Sequence, residues 1–198
     1  MIKQSAFCLG AIIAVLLASV LEPVSSQWLA FDRSDIGQGQ WWRLLTCHWV
    51  HLSWPHALGN VGGLVLLAVI AAGTVPNRVF VGLLLWCSGV VGLGLMLFAG
   101  DLQRYVGLSG VLHGMLMVAP FVALGYSRRM AMLFAGLVVL KVVWEQSPYY
   151  SGGAVGEMIG GRVATEAHLL GGIAGGVWLL AMAVFSPIFC RDNDHVSE

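Results

Sequence analysis

Six apolar runs separated by polar breaks occupy about positions 6–21, 57–74, 79–99, 109–126, 130–146 and 164–188 of the chain. Each approaches the roughly 20 residues a helix needs to cross a bilayer, so the pattern predicts six transmembrane helices in one all-α membrane domain spanning residues 1–198. The first run is short, and with Lys3 before it and Ser25-Ser26 after it also fits a cleaved secretory signal. A retained helix fits better if the other five spans need a partner. The longest break, 22–56, carries Trp28, Trp41, Trp42, Trp49 and Trp54, which suits an outer loop lying partly in the headgroup layer.

Composition sharpens the class. The 198 residues are 58% hydrophobic and 10% charged, with mean hydropathy +0.83, whereas soluble domains carry about a quarter charged residues. Formal net charge is zero and no basic run is interleaved with aromatics, which argues against a nucleic-acid partner and leaves the lipid bilayer as the surroundings. An N-in, C-in arrangement sets Lys3, Arg78, Arg128, Arg129 and Arg191 inside against Arg33, Arg43, Arg104 and Arg162 outside; the firm positive-inside signal is the Ser127-Arg128-Arg129 turn. The cysteines, Cys8, Cys47, Cys87 and Cys190, fall on different segments and predict free thiols rather than a disulfide framework or a CxxC zinc site.

Polar groups inside the apolar runs carry the candidate chemistry. Ser109, in Gly107-Leu108-Ser109-Gly110, and His168, in Ala167-His168-Leu169-Leu170-Gly171-Gly172-Ile173-Ala174-Gly175, open the fourth and sixth runs. Unpaired polar groups in hydrocarbon cost several kcal/mol, so the two point to a shared site, a nucleophile and its base. Gly110 and Gly114 on one run, with Gly171, Gly172, Gly175 and Gly176 on the other, predict close contact between these helices, whether for chemistry or for packing alone.

His56 and Asn60, four residues apart, project from one face at the outer end of the second run and are candidate oxyanion donors. His48, His51 and His56 invite a metal reading, but no nearby acid or thiolate completes a ligand set, and the pattern calls for neither metal nor cofactor. Glu166 lies about 200° around a helix from His168 and is set aside as an orienting acid. Lys141 and Glu145, also four apart, read as an ion pair or as side chains reaching the headgroups. Arg104, Asp101 and Arg162 read as outer-loop charges, and 192–198 as a solvated acidic end.

Together Trp42-Arg43-Leu44-Leu45-Thr46, His51, His56-Ala57-Leu58-Gly59-Asn60, Gly107-Leu108-Ser109-Gly110 and Ala167 through Gly175 resemble the rhomboid intramembrane serine proteases in order and spacing from Trp41 to about Phe185. The resemblance implies a rhomboid-like bundle with Ser109 as nucleophile and His168 as general base. It makes His56, Asn60 and the Ser109 backbone amide the oxyanion donors, and sets Trp42 and Arg43 in a membrane-embedded first loop. Rhomboids usually carry an aromatic four residues after the serine, stacked on the histidine; here that residue is His113, a candidate accessory group or a satisfied polar residue of the bundle.

The stretch Gly107 to Gly114 looks like the rhombosortase branch. That branch implies exported, membrane-anchored substrates ending in Gly-Gly, a helix and a basic tail, while the N-in arrangement sets Ser109 and His168 toward the outer side of an expected bacterial inner membrane. The expected water-filled cavity opens between the second and fifth spans and the first loop. A general rhomboid protease of single-span proteins and a non-catalytic binder of transmembrane helices are the alternatives. A six-helix transporter would more naturally show internal repeats, and none is found.

Overall fold

The computed structural model describes residues 2–71 and 74–185; Cys190, Arg191, the acidic end and the last three residues of the expected sixth span lie outside the described residues. The long helices are α1 (Ile2–Val20), then α5 (Trp54–Ala71), α6 (Asn77–Phe98), α7 (Ser109–Val122), α8 (Arg128–Glu145) and α10 (Thr165–Phe185). Between α1 and α5 run α2 (Val24–Leu29), β1 (Phe31–Asp32), α3 (Arg33–Gly37) and α4 (Arg43–Thr46); β2 (Arg104–Tyr105) precedes α7, and α9 (Gly153–Ile159) lies between α8 and α10.

The expectation of six spans needs correction. Among the described residues three helices, α5, α6 and α10, combine the length and hydropathy of a membrane span. Apolar length limits α1 to Phe7–Val20 and α7 to its 14 residues. In α8, Arg128, Arg129, Lys141 and Glu145 lower the hydropathy of an otherwise sufficient length. The predicted ends also shift. The second run starts earlier, at Trp54, and the fourth stops at Val122, two residues after Pro120, where Ala123 turns extended with ψ of 140°.

The short helix α7 is the centre of the bundle, packing against α5, α6, α8 and α10. At ~1.5 Å per residue, its 14 residues rise only about 21 Å, less than the ~30 Å hydrocarbon layer, so α7 alone is too short to cross it. Buried Leu108, Val111, Leu112, Met115 and Val118 face a core completed by Leu64 and Leu67 of α5 and Leu83 and Leu84 of α6. Cys8, Ala11 and Val15 bring α1 into the same core, where it acts as an integral helix of the bundle.

The contact between α7 and α10 is backbone against backbone. A Cβ on Gly110 would lie 2.6 Å from the Ala167 carbonyl oxygen, one on Gly114 2.6 Å from that of Gly171, and one on Gly171 would overlap the Gly110 carbonyl. Lipid offers little hydrophobic drive to such packing, so close van der Waals contact between small residues holds these helices together. Gly172 and Gly176, expected on the same seam, have only ordinary contacts at 3.8 and 3.9 Å for an added Cβ and lie off it.

The first loop is ordered by two arginines, Arg33 half-buried and Arg43 buried, and by the ribbon. Arg33 donates to the Leu95, Met96 and Ala99 carbonyls at 2.7–2.8 Å, capping the C-terminus of α6. Arg43, 3% exposed, donates to the carbonyls of Ala30 (2.8 Å) and Gln27 (2.7 Å) and pairs with Asp35 at 2.9 Å. β1 pairs antiparallel with β2, joining the loop to the segment that leads into α7. Trp28, Trp41, Trp42 and Trp54 are exposed, as a headgroup-facing loop requires, while Trp49 departs from that expectation by packing on the core.

Candidate functional site

Gly107 fixes how α7 begins. Its φ is +121°, and a Cβ there would come within 2.8 Å of the His56 ring, so both backbone conformation and space demand glycine. Its N–H donates to the Cys47 carbonyl at 3.0 Å, and its own carbonyl accepts from the Tyr105 hydroxyl at 2.6 Å. His48 is fully buried between the Ser88 and Gly107 carbonyls, at 3.0 and 3.4 Å, and that burial lowers its pKa. Loop, α6 and the Gly107 turn are thereby tied together around the first residue of α7.

That residue is Ser109. Its Oγ lies 2.8 Å from His168 Nε2, joining the two polar residues singled out by the sequence. The glycine seam accounts for the approach, since the contacts of Gly110 with Ala167 and of Gly171 with Gly110 flank both side chains. As the first helical residue, Ser109 presents a backbone N–H without an intrahelical partner.

The far side of His168 holds Glu145, whose spacing to Lys141 predicts an ion pair or a side chain reaching the headgroups. His168 Nδ1 is 2.7 Å from Glu145 Oε2, with side-chain exposures of 8% and 5%. The Lys141–Glu145 pair does form, through Oε1, but the carboxylate faces inward rather than toward headgroups. Lys141 Nζ also donates to His113 Nε2 at 3.0 Å, and His113 Nδ1 lies 2.7 Å from the Ser109 carbonyl oxygen. The His113 ring stacks on His168, centroids 4.2 Å apart and planes 23° apart, so an imidazole stands where the aromatic of the family pattern is expected. Glu166 instead accepts from Arg162 at 2.9 Å.

His56 accepts the Leu52 N–H at Nδ1, 3.4 Å away, which leaves Nε2 on the side of the Gly107 turn. Asn60 is buried and its Nδ2 donates to the His56 carbonyl at 2.9 Å, leaving one amide hydrogen for another acceptor. His51 packs edge-on against His56, centroids 4.9 Å apart. Burial first, and the neighbouring His56 second, push its pKa down to about 3 against a smaller opposing influence of the Trp49 backbone.

A cavity of about 750 Å³ reaches Ser109 and His168, with His51, His56, Arg104 and Ile159 on its walls. Its outer wall comes from the first loop and the α9 region. The fifth run was expected to border it, but among the described residues none of α8 is on its wall.

By distance, His113, Glu145 and His168 could converge on a metal ion, their ligand atoms lying within 4.8 Å of one another. The Lys141 ammonium, already bound to Glu145 and to His113 Nε2, supplies the positive charge there and opposes a second cation. Cys8, Cys47 and Cys87 are free and buried; burial raises the Cys47 thiol pKa, which disfavours its thiolate.

An all-α bundle with apolar spanning helices, a central short helix and buried polar side chains at one end defines an integral, multi-pass membrane protein. Residues 38–185 match the Rhomboid domain family model, and the chain belongs to the rhomboid family. It is 28% identical over 149 residues to the rhomboid protease GluP of Bacillus subtilis, covering 70% of this chain and 28% of that protein. To the rhomboid protease GlpG of Yersinia enterocolitica it is 28% identical over 167 residues, covering 82% of this chain and 56% of that protein. The chain thus aligns with less than two thirds of either relative's length.

Proposed function

We propose that this protein is an intramembrane serine endopeptidase acting on membrane-anchored proteins, with Ser109 as nucleophile and His168 as general base. The observation that carries the reading is the 2.8 Å approach of Ser109 Oγ to His168 Nε2 on the wall of a cavity. A serine hydroxyl attacks a peptide carbonyl effectively once a base takes its proton, and a neutral imidazole does so near neutral pH. Oγ forms the acyl bond, Nε2 carries the proton to the leaving amine, and water admitted through the cavity hydrolyses the acyl-enzyme. The developing oxyanion is met by the Ser109 backbone N–H and His56, with the free amide hydrogen of Asn60 as a further donor.

The broad form of this reading is a general rhomboid protease of single-span membrane proteins, and the two related proteins being rhomboid proteases supports its protease part. The narrower form is a rhombosortase-like enzyme cutting exported proteins beside a C-terminal Gly-Gly, helix and basic tail; the stretch Gly107 to Gly114 with His113 after the serine favours it. Glycines at the cut site lower the cost of unwinding a helix into the cavity. The working orientation is N-in and C-in at a bacterial inner membrane, with the cavity toward the outer side, as the Arg128-Arg129 turn suggests.

The test is cleavage, in reconstituted membranes, of two reporters, one with a generic single span and one with the Gly-Gly, helix and basic tail. Release of either by the intact protein and by neither with folded Ser109→Ala is the expected result; cutting of the second reporter alone selects the narrower form. Survival of both with folded wild-type protein favours the non-catalytic helix binder.

A further inference from the structure

We propose that Glu145 is the positioning residue of the site: it orients His168 from behind, and Lys141 and His113 hold it in place. The inference rests on the Ser109–His168 reading above and extends a pair to a chain of three. Glu145 is the last residue of α8, Ser109 the first of α7, and His168 lies in the first turn of α10. Because α8 runs opposite to α7 and α10, all three side chains meet at one end of the bundle.

The hydrogen-bond roles are mutually consistent. A carboxylate only accepts, so the 2.7 Å contact of Glu145 Oε2 with His168 Nδ1 places the imidazole proton on Nδ1. Nε2 is then unprotonated, and its lone pair faces the Ser109 hydroxyl 2.8 Å away, the tautomer a general base requires. The same logic runs through the support. The Ser109 carbonyl can only accept, so His113 Nδ1 donates to it at 2.7 Å; His113 Nε2 therefore accepts from the Lys141 ammonium at 3.0 Å. Lys141 donates as well to Glu145 Oε1, and the stacked His113 ring closes the circuit against His168. Each carboxylate oxygen of Glu145 thus has one donor.

A purely structural ion pair would not look like this. Arg162 and Glu166, also four residues apart at the entry to α10, pair with both partners well exposed, at 60% and 39% of their side chains. In the Lys141–Glu145 pair the lysine is 51% exposed and the glutamate 5%, so the carboxylate has been taken out of its surroundings to reach the imidazole. Burying a carboxylate is costly unless its charge is compensated, and here an ammonium and an imidazole N–H compensate it.

The test uses the full chain in reconstituted membranes, comparing wild type with Ser109→Ala, Glu145→Gln and Glu145→Asp, with thermal unfolding as a folding check. A glutamine can turn its amide N–H₂ toward Nδ1 and favour the opposite tautomer. Glu145→Gln is therefore expected to lower kcat by roughly 100-fold or more with KM within about threefold, since the comparable change in the Ser-His-Asp template costs ~10⁴. Glu145→Asp, which keeps the acceptor at shorter reach, recovers part of that loss. Nitrogen-15 spectra of His168 in the wild type should show a protonated Nδ1 and a bare Nε2.

A Glu145→Gln enzyme with near wild-type kcat, or one impaired through KM alone, overturns the proposal while inactive Ser109→Ala leaves the serine reading standing. Activity in Ser109→Ala removes both. Should Glu145→Gln fail to fold, the wild-type spectrum still decides, and a His168 protonated on Nε2 rejects the role of Glu145.

Discussion

Two faces of α7 are held in opposite ways. Toward α10 the contact is bare backbone, with Gly110, Gly114, Gly171 and Gly175 so close that a single methyl would collide with a carbonyl. Toward α8 the meeting is made by side chains, and α8 itself leaves Met132, Leu133, Leu137, Leu140 and Val143 exposed while burying Ala131, Ala135, Val142 and Glu145. The first contact sets where Ser109 and His168 are; the second sets how the imidazole is turned. Position is thus built into a rigid seam, whereas orientation depends on a polar chain at the end of a lightly packed helix.

The sharpest way to break that comparison is a methyl placed on or off the seam. Gly171→Ala is expected to lower stability by roughly 1–3 kcal/mol, as overpacking does, and to reduce cleavage with it. Gly172→Ala, one residue along and with only an ordinary contact to Val142 at 3.8 Å, should be neutral or stabilising by up to ~1 kcal/mol through helix propensity. Equal thermal unfolding of the two variants would remove the seam from the account.

A smaller effect is expected on the α8 side. His113→Phe keeps a ring against His168 but loses the Lys141 and Ser109 contacts, and His113→Ala loses both ring and contacts. Cleavage rates should fall in the order wild type, Phe, Ala; equal rates for all three would make His113 a filler of the bundle. Asn60→Ala should cost less again, about tenfold at most, because the Ser109 N–H and His56 still meet the oxyanion, and full activity would remove Asn60 from the site.

The mildest prediction concerns pH. His51 is held neutral, with its pKa pushed down to about 3 by burial and His56, against ~6.5 in the unfolded chain. The unfolded state therefore binds the extra proton first as pH falls, so this contribution to stability is full above about 6.5 and is lost progressively toward 3. Thermal unfolding between pH 7 and 4 should show that decline, and His51→Phe should lessen it, the buried His48 leaving a remainder of the same sign.

How much of this was legible in the chain follows the same division. Ser109 and His168 stood out because each is a polar group opening an apolar run, and the i, i+4 glycines announced a close seam. Glu145 did not, because Lys141 four residues earlier offered a complete local explanation. The signal that was present was topological: the end of the fifth run lies at the same end of the bundle as the starts of the fourth and sixth. Elements α2 to α4 and the two-residue ribbon are too short for hydrophobic periodicity, so the first loop was visible only through its tryptophans. The burial of His48 and His51 was equally hidden, since nothing local marks a loop histidine as enclosed.

The most direct test of the central claim is covalent labelling of the reconstituted protein with a fluorophosphonate, which reacts with an activated serine, followed by mass-spectrometric mapping. The account predicts a single adduct on Ser109 that disappears in folded His168→Ala. A folded wild-type protein that takes no label at Ser109, or one labelled equally well without His168, would contradict it.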